Sequence, residues 1–342
     1  MIKLFIPLRI LLFTLILTVS CKKNNTLPPP PTPPTGIIKT NLIKIEDALK
    51  NSDPNFVNLL NMVRGSVGTN VFGSKVIWSR KNDYKLGLFV SANHVYGINT
   101  WLSTGEEFIN ISEINNGIFL GSRIPSINGN VNLSNELIAN FGIYHPQIPS
   151  NTTNKTIYPR DDFYLGVIDN QRIIDNGLGN YPKIVQTSIP LQMYDPNNRT
   201  QAPQTWADVQ ADENVVAFGY PQDKIKFPNG AVSTGKVCTD KEAESIIESL
   251  RLKNDAEGQI PYDSRIEFIA KIHAVAGMSG GGVFNVDGQL LGVMVRATDL
   301  NGEPILRVVR MKFIKQKINA FFNTLSASEK NKIRPFISGE LN

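Results

Sequence analysis

The sequence is short of the residues that would staple or metallate it: two cysteines, Cys21 and Cys238, and three histidines, His94, His145 and His273. Two cysteines cannot build a disulfide framework. Stability must therefore come from a buried core, which the roughly 300 residues after the leader can form as one large or two smaller domains. Regular helices between the strand-like segments are also lacking, and this excludes a parallel α/β sheet. No internal repeat is present. The formal net charge is +5, and removing Lys3 and Arg9 with the leader takes two charges from it. So small an excess argues against nucleic acid as a partner.

What is present begins with a leader. Lys3 and Arg9 flank a short apolar run that continues as Ile10 to Leu17 before the small Ser20, too short to span a membrane, as in a signal peptide over residues 1–20. Cys21, followed by Lys22-Lys23-Asn24-Asn25, resembles a bacterial lipoprotein cleavage site, although Thr18 stands where leucine is usual and Leu17 lies one place further back. The resemblance implies lipidation of Cys21 and a cell-envelope location, on the periplasmic face or the cell surface, with the membrane as a partner. Residues 21–40 form the lipidated cysteine and a tether. Pro28 to Pro34, broken only by Thr32, favours extended polyproline II at about 3 Å per residue, serving either as a spacer or as a plain unstructured tract.

From Leu42 to Val63 apolar residues recur at helical spacing, broken by Asp53-Pro54, which predicts two short helices. After Gly65 short apolar runs alternate with Gly, Asn and Pro. Strands are expected near 66–69, 75–78, 86–90, 117–120, 163–168, 184–189, 215–218, 232–237, 266–272, 283–284, 290–295 and 305–309. An all-β fold of two barrels or sandwiches follows. Helical spacing returns in Lys241–Lys253 (Ala243, Ile246, Ile247, Leu250) and in Met311–Leu325 (Ile314, Ile318, Phe321, Phe322, Leu325), and Ser326-Ala327-Ser328-Glu329 reads as a capping box.

The chemistry centres on Gly277-Met278-Ser279-Gly280-Gly281-Gly282, a serine among glycines. Such a cluster implies a tight bend or a close approach, and that is how an acyl-transfer nucleophile is presented. The Gly-x-Ser-x-Gly pattern also suits α/β-hydrolases, but those place a histidine after the serine, and here all three histidines precede Ser279. An Asp-His-Ser order would need an acid before His94, such as Asp83, and nothing around these residues resembles that arrangement. The order His, Asp, Ser remains.

His94 ends the apolar segment Leu88-Phe89-Val90-Ser91-Ala92-Asn93-His94, which resembles the histidine segment of chymotrypsin/trypsin-like serine proteases. Arg160-Asp161-Asp162-Phe163-Tyr164-Leu165 resembles that family's acid segment and singles out Asp162, with Asp161 as the neighbouring alternative. Val215 to Pro221, Gly230 to Val237, and Ile272 to Val293 resemble the second half of its bacterial Deg/HtrA-like members, so that the likeness runs over roughly residues 65–310. Only about thirty residues follow Val309, so no appended binding domain is expected there.

The resemblance implies a protease domain over 41–342: two antiparallel six-stranded β-barrels (about 65–175 and 180–310), short N-terminal helices, and C-terminal helices over 311–336. It implies His94 as base, Asp162 as its orienting acid and Ser279 as nucleophile in the cleft between the barrels. The N–H groups of Gly277 and Ser279 would form the oxyanion hole, with Gly280 and Gly281 leaving room for substrate. His273, Val295, Arg296 and Ala297 fall at the specificity pocket, although His273 reads equally as a strand histidine. No aspartate marks a Lys/Arg-selecting pocket. Met278 stands where relatives carry aspartate or asparagine and cannot accept a liberated amine, so the hole is either formed constitutively or shaped by other contacts. A protein or peptide substrate follows, with no cofactor and no metal. The alternatives are an inactive protease fold used as a scaffold and an esterase using the same three residues.

Overall fold

In the computed structural model, the described residues are 41–69, 73–80, 86–96, 140–144, 157–169 and 206–327. The leader, the tether, His145, the strands expected near 117–120 and 184–189, and the last helix after Ser326 lie outside them.

The second half forms a closed barrel. Its strands are β7 (Asn214–Gly219), β8 (Ala231–Val237), β9 (Glu267–Lys271), β10 (Gly282–Asn285), β11 (Leu290–Leu300) and β12 (Glu303–Arg310). All pair antiparallel in the order β8-β7-β10-β11-β12-β9, and Lys236 and Val237 of β8 then pair with Lys271 and Ala270 of β9 to close the ring. Alternation along the strands divides the side chains. Val215, Ala217, Val237, Phe268, Ala270, Val283, Met294, Leu306 and Val308 fill one cluster to which all six strands contribute. Val216, Phe218, Val232, Phe284, Val293 and Val309 turn the other way. Both faces are covered, which is why Val215-Val216-Ala217-Phe218 reads as a continuous apolar run.

The first half supplies a second antiparallel sheet, ordered β2 (Val67–Thr69), β3 (Ser74–Arg80), β4 (Leu86–Ser91), β6 (Tyr164–Asp169) and β5 (Asn140–Tyr144), five strands among the described residues. Its apolar side and the outer face of the barrel share one core. Into this core also pack α2 (Pro54–Ser66), through Leu59, Leu60 and Val63, and α5 (Met311–Thr324), through Met311, Phe313, Ile314 and Ile318. Each fully buried Phe or Leu there contributes about 1.5–3 kcal/mol. Phe313 meets Phe163 edge-on at 6.0 Å, so the C-terminal helix braces the start of β6.

The all-β class with helical N- and C-terminal additions is what the sequence led us to expect. One difference is local. Leu42 to Ala48 is not a full helix: Ile43 and Lys44 form β1, which pairs with Val232 and Ala231 of β8, and only the single turn α1 (Ile45–Ala48) follows. The barrel edge offers backbone partners that a short isolated helix cannot match. The inserted helix α4 (Asp240–Leu252) opens with a capping box between Thr239 and Glu242 and buries Ala243, Ile246, Ile247 and Leu250 against Ile269 and Ile305.

The segment returning from α4 is tied to the barrel by Arg307, which is 1% exposed. Its guanidinium donates to both oxygens of Glu267 at 2.8 and 2.6 Å and to the carbonyls of Glu257, Ile260 and Pro261 at 3.0–3.1 Å. Removing one partner strands a buried charge. Glu267→Ala is therefore expected to lower unfolding free energy by about 3–5 kcal/mol in urea titrations, and a loss below 1 kcal/mol would show that the pair is dispensable.

Candidate functional site

The β4–β6 register builds the first part of the site. Ser91 pairs with Tyr164, so the chain leaving β4 and the chain entering β6 lie side by side at one end of the sheet. Three residues on from Ser91 is His94, in the turn α3 (Asn93–Tyr96), and two residues before Tyr164 is Asp162, just after a 3-10 turn at Pro159–Asp161. Asp162 is fully buried. It accepts the His94 backbone N–H at 2.9 Å through Oδ1, and its two oxygens lie 3.1 and 2.9 Å from His94 Nδ1. A carboxylate only accepts, so Nδ1 carries the proton, and Nε2 is left as the acceptor. Asn93, also buried, donates from Nδ2 to Asp161 O at 2.9 Å and holds the acid loop. Asp161, the alternative acid, points instead to Arg160 at 3.3 Å.

Burial opposes the charged form of His94 more strongly than any other single influence. The attraction and hydrogen bond from Asp162 together outweigh it, Arg296 pushes the other way, and the net result is a pKa above the usual histidine value.

The serine loop comes from the barrel, between β9 and β10. Met278 N donates to Val275 O at 3.0 Å and Gly281 N to Met278 O at 2.8 Å. Each i→i+3 bond encloses a glycine at its third position, Gly277 at φ +92° and Gly280 at +84°, the pattern of type II turns. A Cβ on Gly277 would also run into Gln222 N and Tyr220 O. Packing alone requires the glycines after Ser279. A Cβ on Gly280 would overlap Ser74 O and Ser91 Oγ, and one on Gly281 would overlap Phe218 O and Met294 Cε.

Five consecutive carbonyls of this loop accept hydrogen bonds. Val275 O is bonded to Met278 N, Ala276 O to Gln222 N at 2.9 Å, Gly277 O to Ser74 Oγ at 2.8 Å, Met278 O to Gly281 N, and Ser279 O to Ser74 N at 2.8 Å. Among the described residues the N–H groups of Gly277 and Ser279 donate none. A trans peptide aims N–H and C=O in opposite directions, so anchoring Ala276 O and Met278 O turns both N–H groups the other way. Met278 itself is fully buried in the cluster filling the barrel, beside Gly219.

The loop lies against the histidine segment. The space at Gly73 is bounded by Val95 Cγ1 and Ser279 O, 2.8 and 2.9 Å from where a Cβ would sit, and Gly280 abuts Ser91 and Ala92. The Ser279 hydroxyl makes no hydrogen bond among the described residues.

The remaining expected residues are spread around the barrel. His273 is half-buried, and its carbonyl accepts from Ser233 Oγ at 2.5 Å. Val295 is buried in the shared core, while Ala297 is exposed. A register shift between Met294 and Arg296 re-aims Arg296, whose Nε donates to Glu257 at 2.8 Å. Among the described residues no group of three or more His, Cys, Asp or Glu has metal-binding geometry. Sequence reasoning missed Asn93 and Ser74. The first adjoins His94 and could have been found there, whereas the second sits in an unremarkable strand start.

No protein-family model and no curated protein matches the chain. Several solved structures are similar at low identity. A serine-to-alanine mutant of Rv3671c from M. tuberculosis H37Rv, in an inactive form, is 13% identical with a TM-score of 0.38, covering 81% of this chain and 97% of that one. The HtrA-type protease AlgW with a decapeptide is 12% identical at 0.36, covering 77% and 59%, and a Glu endopeptidase in complex with MPD is 12% identical at 0.38, covering 75% and 90%.

The His94–Asp162 geometry carries a testable sign. The pair's contribution to stability is present below the unfolded-state histidine pKa and is lost as pH rises through the elevated folded value. In NMR titrations His94 should protonate above the ordinary histidine range. Asp162→Asn should drop it below that range, because burial and Arg296 remain, and Arg296→Gln should raise it further. A midpoint indifferent to Asp162 would refute the assignment.

Proposed function

We propose that the chain is a serine endopeptidase of the cell envelope, anchored by a lipid on Cys21. The observation that carries the activity is the state of the serine loop. Two N–H groups, one of them on the buried Gly277, donate to nothing among the described residues while every carbonyl around them is tied, beside a histidine held by a buried aspartate. A buried N–H without a partner is rare, and the Gly277 N–H together with the serine's own N–H suits a developing oxyanion.

In this reading Ser279 Oγ attacks a peptide carbonyl carbon and its proton passes to His94 Nε2. The carbonyl π electrons move onto oxygen, where Gly277 and Ser279 N–H donate to it. Collapse breaks the C–N bond as His94 protonates the leaving amine, giving an acyl-enzyme. Water then adds, losing its proton to His94, and Ser279 leaves with that proton, so that one peptide and one water give an acid and an amine. The base must be neutral, so activity should rise with pH through the elevated His94 value.

The unbonded Ser279 hydroxyl favours a second reading, a scaffold or binding protein with the same fold. Labelling separates the two. On the full chain, a fluorophosphonate probe should modify Ser279, Ser279→Ala should abolish labelling, and Asp162→Asn should slow peptide hydrolysis about 10⁴-fold with little change in KM. A folded wild-type chain that resists the probe leaves the binding reading. Separately, metabolic palmitate labelling should be lost in Cys21→Ser, and retained label would place the lipid elsewhere.

A further inference from the structure

Ser74 opens β3 in the first sheet, is fully buried, and uses every polar atom it has. Its N–H donates to Ser279 O at 2.8 Å and its hydroxyl donates to Gly277 O at 2.8 Å. The same hydroxyl accepts from Tyr220 N at 2.8 Å, and its carbonyl accepts from Ser91 Oγ at 2.6 Å. One residue of the first sheet thus grips the serine loop, the strand exit after β7 and the end of β4 that leads to His94.

We propose that Ser74 is a positioning residue for the oxyanion donors, an inference that rests on the serine-hydrolase reading of this site. It holds each donor residue by that residue's own carbonyl, Gly277 through the hydroxyl and Ser279 through the backbone. Ala276 O is fixed by Gln222 and Met278 O by Gly281, so the peptides on both sides of each donor are locked. The hydroxyl is the replaceable part. It must donate and accept at once at short range, which a buried alanine cannot do and a thiol does only weakly. Without it, Gly277 O and Tyr220 N lose their partner in the interior. The 277–278 peptide then keeps only the bond from Met278 N to Val275 O, and the turn that aims the Gly277 N–H loosens.

The test compares full-length wild type, Ser74→Ala and the volume-matched Ser74→Cys in three measurements: the rate of fluorophosphonate modification, its pH midpoint, and hydrogen exchange over 275–282. Both variants should react roughly 10- to 100-fold more slowly, an upper range set by removing an oxyanion donor outright. The pH midpoint should stay put, because His94 and Asp162 are untouched, and exchange in the loop should accelerate. Ser74→Cys reacting at the wild-type rate would show that volume rather than hydrogen bonding matters and would overturn the proposal. So would unchanged exchange in both variants, or a shifted midpoint accompanying the rate loss. If wild type itself does not react, the enzymatic reading falls, and loop exchange alone still decides whether Ser74 holds the loop. Should Ser74→Ala fail to fold, Ser74→Cys carries the comparison.

Discussion

The structure around the candidate site depends on satisfying the carbonyls of Val275 to Ser279 from outside the loop. Five acceptors in a row cannot be met by a strand, because a strand partner would also claim the N–H groups between them. Two tight turns meet two of the five locally. The others require donors at fixed places: Gln222 after β7, and Ser74, twice, from the opposite sheet. The loop conformation is therefore a property of the packed pair of sheets, and the two unengaged N–H groups are its by-product. Close packing enforces this, since Gly280 leaves no room for a Cβ against Ser74 and Ser91.

The same junction organises the charges. Asp162 is buried and would be costly alone, but His94 supplies two N–H groups to it and Asn93 pins the loop it sits on. Arg296, close enough to oppose the protonation of His94, is held by Glu257, and the backbone of Glu257 is in turn held by Arg307. The inserted segment that ends at Pro261 is thus coupled through two arginines to the surroundings of the histidine. A charge introduced or removed at Glu257 would act on the site without touching it, because low-dielectric surroundings let such pairs interact at range.

Much of this was legible from residue order. Strands with both faces buried appear as unbroken apolar runs, and Val215–Phe218 and Leu290–Val295 were found for that reason. Ser279 stood out among its glycines, whereas His94 and Asp162 were singled out by the resemblance of the segments around them to known protease segments. What sequence could not show were contacts made across large separations by ordinary residues. Ser74 lies 203 positions from Gly277. Ile43 and Lys44 looked helical because their strand partner is on β8, far along the chain. That neighbouring backbone demands Gly280 and Gly281 was equally hidden, since a glycine demanded by a neighbouring backbone and one demanded by a ligand look the same in a sequence.

Met278 shows how one constraint can be met by different physics. A polar side chain at this place would need a dedicated partner, and a charged one a counter-ion whose arrival would switch the loop. Methionine is flexible and apolar, and here it fills space among Ala217, Val283 and Met294. Burial of such a side chain stabilises by about 1.5–3 kcal/mol, does so at any pH, and waits for no second event. With that anchor below the loop and Ser74 beside it, the two N–H groups are held by contacts that form as the chain folds.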